Sequence, residues 1–235
     1  MPEQVIEPSA NTESTQTGAR FGALTASLVV AAAALLLFAW LSNEMLEGAT
    51  RQFDANVRSA VHAQSSHELT RTMLLISSLG SPLVLTSATA MLVVIFLVLS
   101  WHRAAAWMAI AMIGAALLDT ALKHAFARPR PAPFFGVPLP GSASFPSGHA
   151  LASFCFFGVL AAVLAHRIRS RFVAALLWAA SATLIAAIGY SRIYLGVHYP
   201  TDVVAGYLAA AIWVAGLTIA DRYHSRWHER RKAEP

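Results

Sequence analysis

Residues 21–42 read FGALTASLVVAAAALLLFAWLS, a run with no charged side chain. An α-helix rises about 1.5 Å per residue, so about 20 mostly apolar residues cross a hydrocarbon core of roughly 30 Å. This run is long enough to do so, and working outward from it the pattern recurs. Residues 73–100 carry no charge either, although Gly80, Ser81 and Pro82 place the start of the second helix proper near Pro82. Residues 104–122 are interrupted only by Asp119, and residues 146–165, 172–190 and 203–220 follow, each bounded by charged or Gly/Pro-containing stretches. The reading is an all-α, six-span transmembrane helical bundle.

Composition agrees. The chain has 235 residues, of which 57% are hydrophobic and 12% charged, a balance foreign to ordinary soluble domains. Its one cysteine, Cys155, lies in an apolar run, which excludes an intramolecular disulfide and a cysteine metal cluster. The net charge of +5 does not point to nucleic acid, because the basic residues fall in short segments between apolar runs rather than in a stripe.

Residues 1–20 are polar, with Glu3, Glu7 and Glu13 against one basic residue, Arg20, and read as a disordered cytoplasmic tail before an uncleaved anchor. Residues 21–221 form the membrane domain, and residues 222–235 a basic cytoplasmic tail. Between spans one and two, in residues 43–72, Phe53, Val57 and Val61 recur every four positions, opposite Arg51, Asp54 and Arg58. That stripe predicts a short interfacial helical segment, with a solvated hairpin as the alternative.

Orientation follows from Lys and Arg in the loops. With both termini cytoplasmic, ten of the seventeen fall inside: Arg20, Arg103, Arg167, Arg169, Arg171, Arg222, Arg226, Arg230, Arg231 and Lys232. Several of the remaining seven have a chemical reason to lie outside. Six alternating spans also put the loops after spans three and five on one side, where they can build one site.

Three clusters occupy those loops. In Lys123-His-Ala-Phe-Ala-Arg128-Pro129-Arg130-Pro131, Lys123 ends span three and prolines stop the helix from continuing. Two cations at an interface suit phosphate oxygens, while snorkelling to lipid head groups is the plainer explanation. Asp119 stands one turn before Lys123, at ion-pair spacing. The second cluster, Pro146-Ser147-Gly148-His149, opens span four, where exposed amides and the helix dipole form an anion site. Capping explains Ser147 and Gly148 but not the imidazole. In the third, Ser191-Arg192 precedes His198, and Pro200 starts span six, so that Asp202 in its first turn can hold one ring nitrogen of His198 and leave the other free. A simple His and Asp capping pair is the alternative.

The three motifs in order, Lys123 with Arg130-Pro131, then Pro146 to His149, then Ser191-Arg192 with His198 and Asp202, resemble the type 2 phosphatidic acid phosphatases, which share their pocket with the vanadium haloperoxidases. Every spacing matches, and the spacing assigns the family role to Arg130 rather than Arg128. The resemblance implies a lipid phosphatase without a cofactor or metal. His198 would attack phosphorus and form a phosphohistidine; Asp202 would stabilise the imidazolium; His149 would protonate the leaving oxygen and later activate water. Lys123, Arg130, Ser147, Gly148 and Arg192 would bind the phosphate. Two histidines titrating near 6.5 predict a bell-shaped pH profile. His149, His198 and Asp202 are conceivable metal ligands, but three cationic side chains beside them favour an anion.

The implied partners are membrane lipids and a lipid phosphate or diphosphate, met at the extracytoplasmic face of the cell inner membrane. Undecaprenyl pyrophosphate is the favoured substrate, with phosphatidylglycerophosphate, phosphatidate and lipid A phosphates as alternatives. Phe134, Phe135, Val137 and Leu139 are candidates to line the route of the lipid tail. A phospholipid transporter or a silent scaffold is the competing class. Neither the oligomeric state nor the lipid is legible in the residues.

Overall fold

The structure, a computed structural model, describes the backbone of residues 10–233 and the side chains of residues 25–223. Residues 1–9 and 234–235, and with them part of the tails expected over 1–20 and 222–235, lie outside the described residues. Among the described residues there are eight helices and no strand: α1 (Ala10–Glu47), α2 (Arg51–Ala63), α3 (His67–Leu79), α4 (Pro82–Val98), α5 (His102–Phe126), α6 (Gly148–Ala165), α7 (Arg171–Tyr194) and α8 (Pro200–Ala233). Five are long and apolar enough to cross a membrane, and α3 with α4, bent by 45° at their break, makes a sixth when the pair is taken as one broken span.

Local chemistry sets the boundaries. Ser66 caps α3 by accepting from the Leu69 amide at 3.2 Å, and Ser81 caps α4, whose first residue is Pro82, by accepting from Val84. α5 ends at Ala127, which takes a left-handed conformation with φ of 44° while its amide returns to the Lys123 carbonyl. α6 is the central helix, packing against α5, α7 and α8, and α1 lies along α8. The core within the bundle includes Met108, Ala111, Leu151, Cys155 and Phe156. The outer faces carry exposed Leu36, Leu83, Val98, Leu117 and Phe172. Apolar surface so extensive is stable facing lipid and not water.

The structure departs from the sequence reading in three places. The residues before Pro82 are themselves helical, and α3 packs on α7. Arg192 belongs to the last turn of α7 rather than to a connection. On α2 the polar and apolar faces are not as expected: Asp54 is 0% exposed and Phe53 57%. The buried stripe runs through Asp54, Val57 and Val61, the same helical period begun one residue later, with Val57 and Val61 packed against Met73, Tyr194 and Val197. A carboxylate is stable inside only when its oxygens are paired, and Arg128 and Thr201 pair those of Asp54.

Candidate active site

The two arginines of the first cluster, two residues apart, face different partners. Arg130 donates to the carbonyls of Val197 at 3.0 Å, Ser142 at 2.8 Å and Ala143 at 3.1 Å, and its Nη1 stands 3.1 Å from Nε2 of His198. Arg128 turns away, donating to Asp202 Oδ1 at 2.6 Å, Thr201 Oγ1 at 2.9 Å and Asp54 Oδ2 at 2.8 Å. Arg130, the arginine that the motif spacing singles out, is the one beside the His198 ring. Lys123, in the last turn of α5, is 2.7 Å from Asp119 Oδ2 across one helical turn.

The start of α6 is tied to the start of α8 by the Ser147 amide, which donates to the Asp202 carbonyl at 2.9 Å. The Ser147 hydroxyl caps nothing: it is buried and has no hydrogen-bond partner among the described residues. Gly148 leaves room for its neighbour, since a Cβ there would lie 2.8 Å from Asp119 Oδ1 and would displace that carboxylate. His149, the second residue of α6, is within electrostatic reach of Lys123, Arg130, Arg192 and His198.

His198 sits in the turn between α7 and α8 and is buried. Its Nδ1 faces Asp202 Oδ2 at 3.4 Å, and the same oxygen accepts the Tyr199 amide at 2.9 Å. Burial pushes the His198 imidazole down to about 4, since the apolar surroundings penalise the cation more than Asp202 favours it, with Arg130 and Arg192 adding repulsion. Burial likewise lowers the Arg130 guanidinium, with Asp202 and Asp119 working in the opposite direction. Arg192 donates Nη1 to Ser77 Oγ on α3, while its Nε is buried without a partner among the described residues.

All eight residues singled out from the sequence therefore gather at one end of the bundle. What the arrangement offers an anion is three cations, an uncommitted hydroxyl and the amides opening α6. Among the described residues no group of three or more His, Cys, Asp or Glu side chains is disposed to hold a metal ion.

Residues 104–226 match the family model of the PAP2 superfamily. The chain belongs to this superfamily. A solved PAP2-type phosphatidylglycerolphosphate phosphatase from Bacillus subtilis superposes with a TM-score of 0.75 at 23% identity, covering 83% of this chain and 96% of that one, a likeness of fold. Aquifex aeolicus LpxE superposes with a TM-score of 0.54 at 26% identity, covering 71% and 94% respectively. In sequence, PAP2 relatives include a lipid A 1-phosphatase from Rhizobium johnstonii, 36% identical over 131 residues, or 52% of this chain and 48% of the relative. Another is phosphatidylglycerophosphatase B from Bacillus subtilis, 34% identical over 94 residues, 39% of this chain and 45% of the relative. The chain spans about half the length of the relatives it matches.

Four residues hydrogen-bonded to the candidate site residues or to one another were not singled out in sequence. Asp54 was read as a surface residue, Ser77 fell within an uncharged run, Arg128 was set aside for Arg130 by spacing, and Thr201 was not considered. The signal for Asp54 was its place one turn before Val57 and two before Val61, where a carboxylate in a buried stripe calls for a partner. Phe134 and Val137, candidates to line a tail route, are packed into protein: Phe134 stacks on His62 at 4.0 Å and Val137 joins the Val61 cluster. Phe135 and Leu139 keep 41% and 44% of their surface exposed.

Proposed function

We propose that this chain is a membrane lipid phosphatase that acts without a metal ion through a phosphohistidine on His198. The observation that carries the reading is the pairing of the two ring nitrogens, Nδ1 on Asp202 and Nε2 beside Arg130. A phosphate at Nε2 has its equatorial oxygens neutralised by Lys123, Arg130 and Arg192 and bonded by the Ser147 hydroxyl and the Gly148 amide.

In the first step the Nε2 lone pair forms the P–N bond, the P–O bond to the lipid breaks, and His149 gives its proton to the departing oxygen. In the second, His149 takes a proton from water, the hydroxide attacks phosphorus, the P–N bond breaks, and inorganic phosphate leaves with His198 neutral again.

The site end belongs on the extracytoplasmic face of the inner membrane with the termini cytoplasmic. Arg103 and Arg167, at the opposite end, support this orientation. For the lipid, lipid A 1-phosphate is favoured over undecaprenyl pyrophosphate, the sequence-based favourite, a choice supported by two relatives at 36% and 37% identity that are named lipid A 1-phosphatases.

The test is phosphate release by detergent-purified protein from a panel containing lipid A 1-phosphate, phosphatidylglycerophosphate, phosphatidate and undecaprenyl pyrophosphate, with His198→Ala as control. Turnover that survives excess chelator and disappears in His198→Ala supports the proposal. Equal turnover in the two proteins rejects the nucleophile, restoration by a divalent metal after chelation rejects the metal-free route, and silence on every lipid favours transport or scaffolding.

A further inference from the structure

Asp54 comes from α2, a helix outside the three motifs, yet it is completely buried against the start of α8. One of its oxygens accepts the Thr201 amide at 3.1 Å; the other accepts the Thr201 hydroxyl and Arg128 Nη2, each at 2.8 Å. The opposite arm of the same guanidinium donates to Asp202 Oδ1 at 2.6 Å. Asp202 Oδ2 faces His198 Nδ1. A continuous line of contacts thus runs from Asp54 through Arg128 and Asp202 to His198.

The charges along that line decide what it does. Asp202 must stay strongly negative to hold the imidazolium that develops when Nε2 attacks. Arg128 alone, at 2.6 Å, would draw heavily on that negative charge. Asp54 shares the guanidinium and leaves more of Asp202 available to His198. The packing also restrains geometry, because Arg128 sits over the Tyr199 ring with its central carbon 4.0 Å from the centroid and offers one arm to each carboxylate.

We infer that Asp54 is a positioning residue for the reaction: through Arg128 it sets how Asp202 orients and electrostatically supports His198, which makes α2 part of the active site. The inference rests on the proposed phosphatase reading for its kinetic consequence, but the coupling of Asp54 to His198 is measurable without turnover. The groups facing His198 are Asp202 on α8, Arg192 on α7, His149 on α6, and Arg130 from the loop between α5 and α6. Those facing Asp54 are Arg128 from that loop and Arg58 on its own helix.

The experiment combines Asp54→Asn in the full chain with two readouts: steady-state kinetics on whichever lipid phosphate is turned over, and nitrogen NMR of ring-labelled histidine, with His198 assigned by its loss in His198→Gln. The expected result is a roughly 10- to 100-fold fall in kcat with KM within about twofold, the scale of losing a group that orients a reactive one. The His198 titration midpoint falls as well, because a nearby negative charge is gone and the Arg128 charge rests undivided on Asp202.

A variant with a lower melting temperature but unchanged kcat and midpoint overturns the inference, because a purely structural tie between α2 and α8 would behave so. Should Asp54→Asn fail to fold, Arg128→Lys keeps the charge and loses the two-armed bridge; it is expected to lower kcat in the same way, and kcat equal to the parent chain's overturns the proposal. If the parent chain releases no phosphate, the phosphatase reading fails, and the His198 midpoint still decides the coupling by itself.

Discussion

Arg130 Nη1 stands 3.1 Å from His198 Nε2 while Asp202 Oδ2 faces the other ring nitrogen. A guanidinium has only donors and an ionised carboxylate only acceptors, so the pair fixes the tautomer: Nδ1 carries the proton and Nε2 the lone pair. The nitrogen aimed at Arg130 is thus the nucleophilic one. Arg130 reaches it with Nη1, which also donates to the Val197 carbonyl and so ties the loop after α5 to the turn before α8, while Nε and Nη2 hold the carbonyls of Ser142 and Ala143 within that loop.

That double duty predicts the behaviour of Arg130→Lys. Lysine keeps a positive charge but not the fork that joins three carbonyls and the imidazole. kcat/KM is expected to fall by about 10²- to 10³-fold, the range for removing one preorganised donor at a developing oxyanion. A loss under about threefold on the best lipid of the panel would show that charge alone suffices.

The pH dependence differs from the bell centred near 6.5 that two ordinary histidines imply. Burial holds folded His198 at about 4, against 6.5 for the exposed side chain. Only the neutral ring attacks, so His198 stays competent from neutral pH down to about 4. A phosphate monoester has its own ionisation near pH 6, which makes the kinetic limb ambiguous, so histidine ring NMR is the deciding measurement. The same shift governs folding. Between these two values the unfolded chain binds the proton and the folded one does not, so the stability from keeping His198 neutral is fully present above about 6.5 and lost as pH falls toward 4. A His198 midpoint at or above 6.5 contradicts the burial argument.

Gly148 predicts a different kind of defect. A Cβ there would meet the Asp119 carboxylate at 2.8 Å, so Gly148→Ala must move Asp119, and Lys123 moves with it through their 2.7 Å ion pair. The expected signature is a rise in KM of about tenfold with a melting temperature lowered by only a few degrees, since the clash falls on a side chain at the edge of the bundle. An unchanged KM would mean that Lys123 does not touch substrate.

Hydropathy and spacing carried most of the architecture because both are local properties. An uncharged run of residues 21–42 has few alternatives to a membrane helix, and Pro200 before Asp202 starts α8 where the sequence places it. The candidate site residues stood out because three motifs keep a fixed order and spacing, although snorkelling or capping explains most of their members singly. Asp54 and Ser77 were illegible for the opposite cause: each acts through a partner more than one hundred residues away, Thr201 for Asp54 and Arg192 for Ser77. Periodicity records which side chains are apolar and says nothing of which polar ones have found a buried partner. The sequence therefore set Asp54 on the wrong face of α2 and left α3 out of the site.

Ser77 supplies the last prediction. It is buried on α3, and its hydroxyl accepts a hydrogen bond from Arg192 Nη1. Ser77→Ala removes that acceptor and leaves a buried guanidinium with less to hold it, at a stability cost of about 1.5 to 3 kcal/mol, the usual range for a hydrogen bond to a charged group. If Arg192 binds the transferring phosphate, its freed side chain should hold anions less well. Competitive inhibition by inorganic phosphate should then weaken by about tenfold, a loss near 1.4 kcal/mol. Thermal unfolding in detergent and a phosphate inhibition series measure the two effects separately. A destabilised protein with an unchanged inhibition constant would leave Arg192 as a strut between α7 and α3 and remove it from the phosphate site.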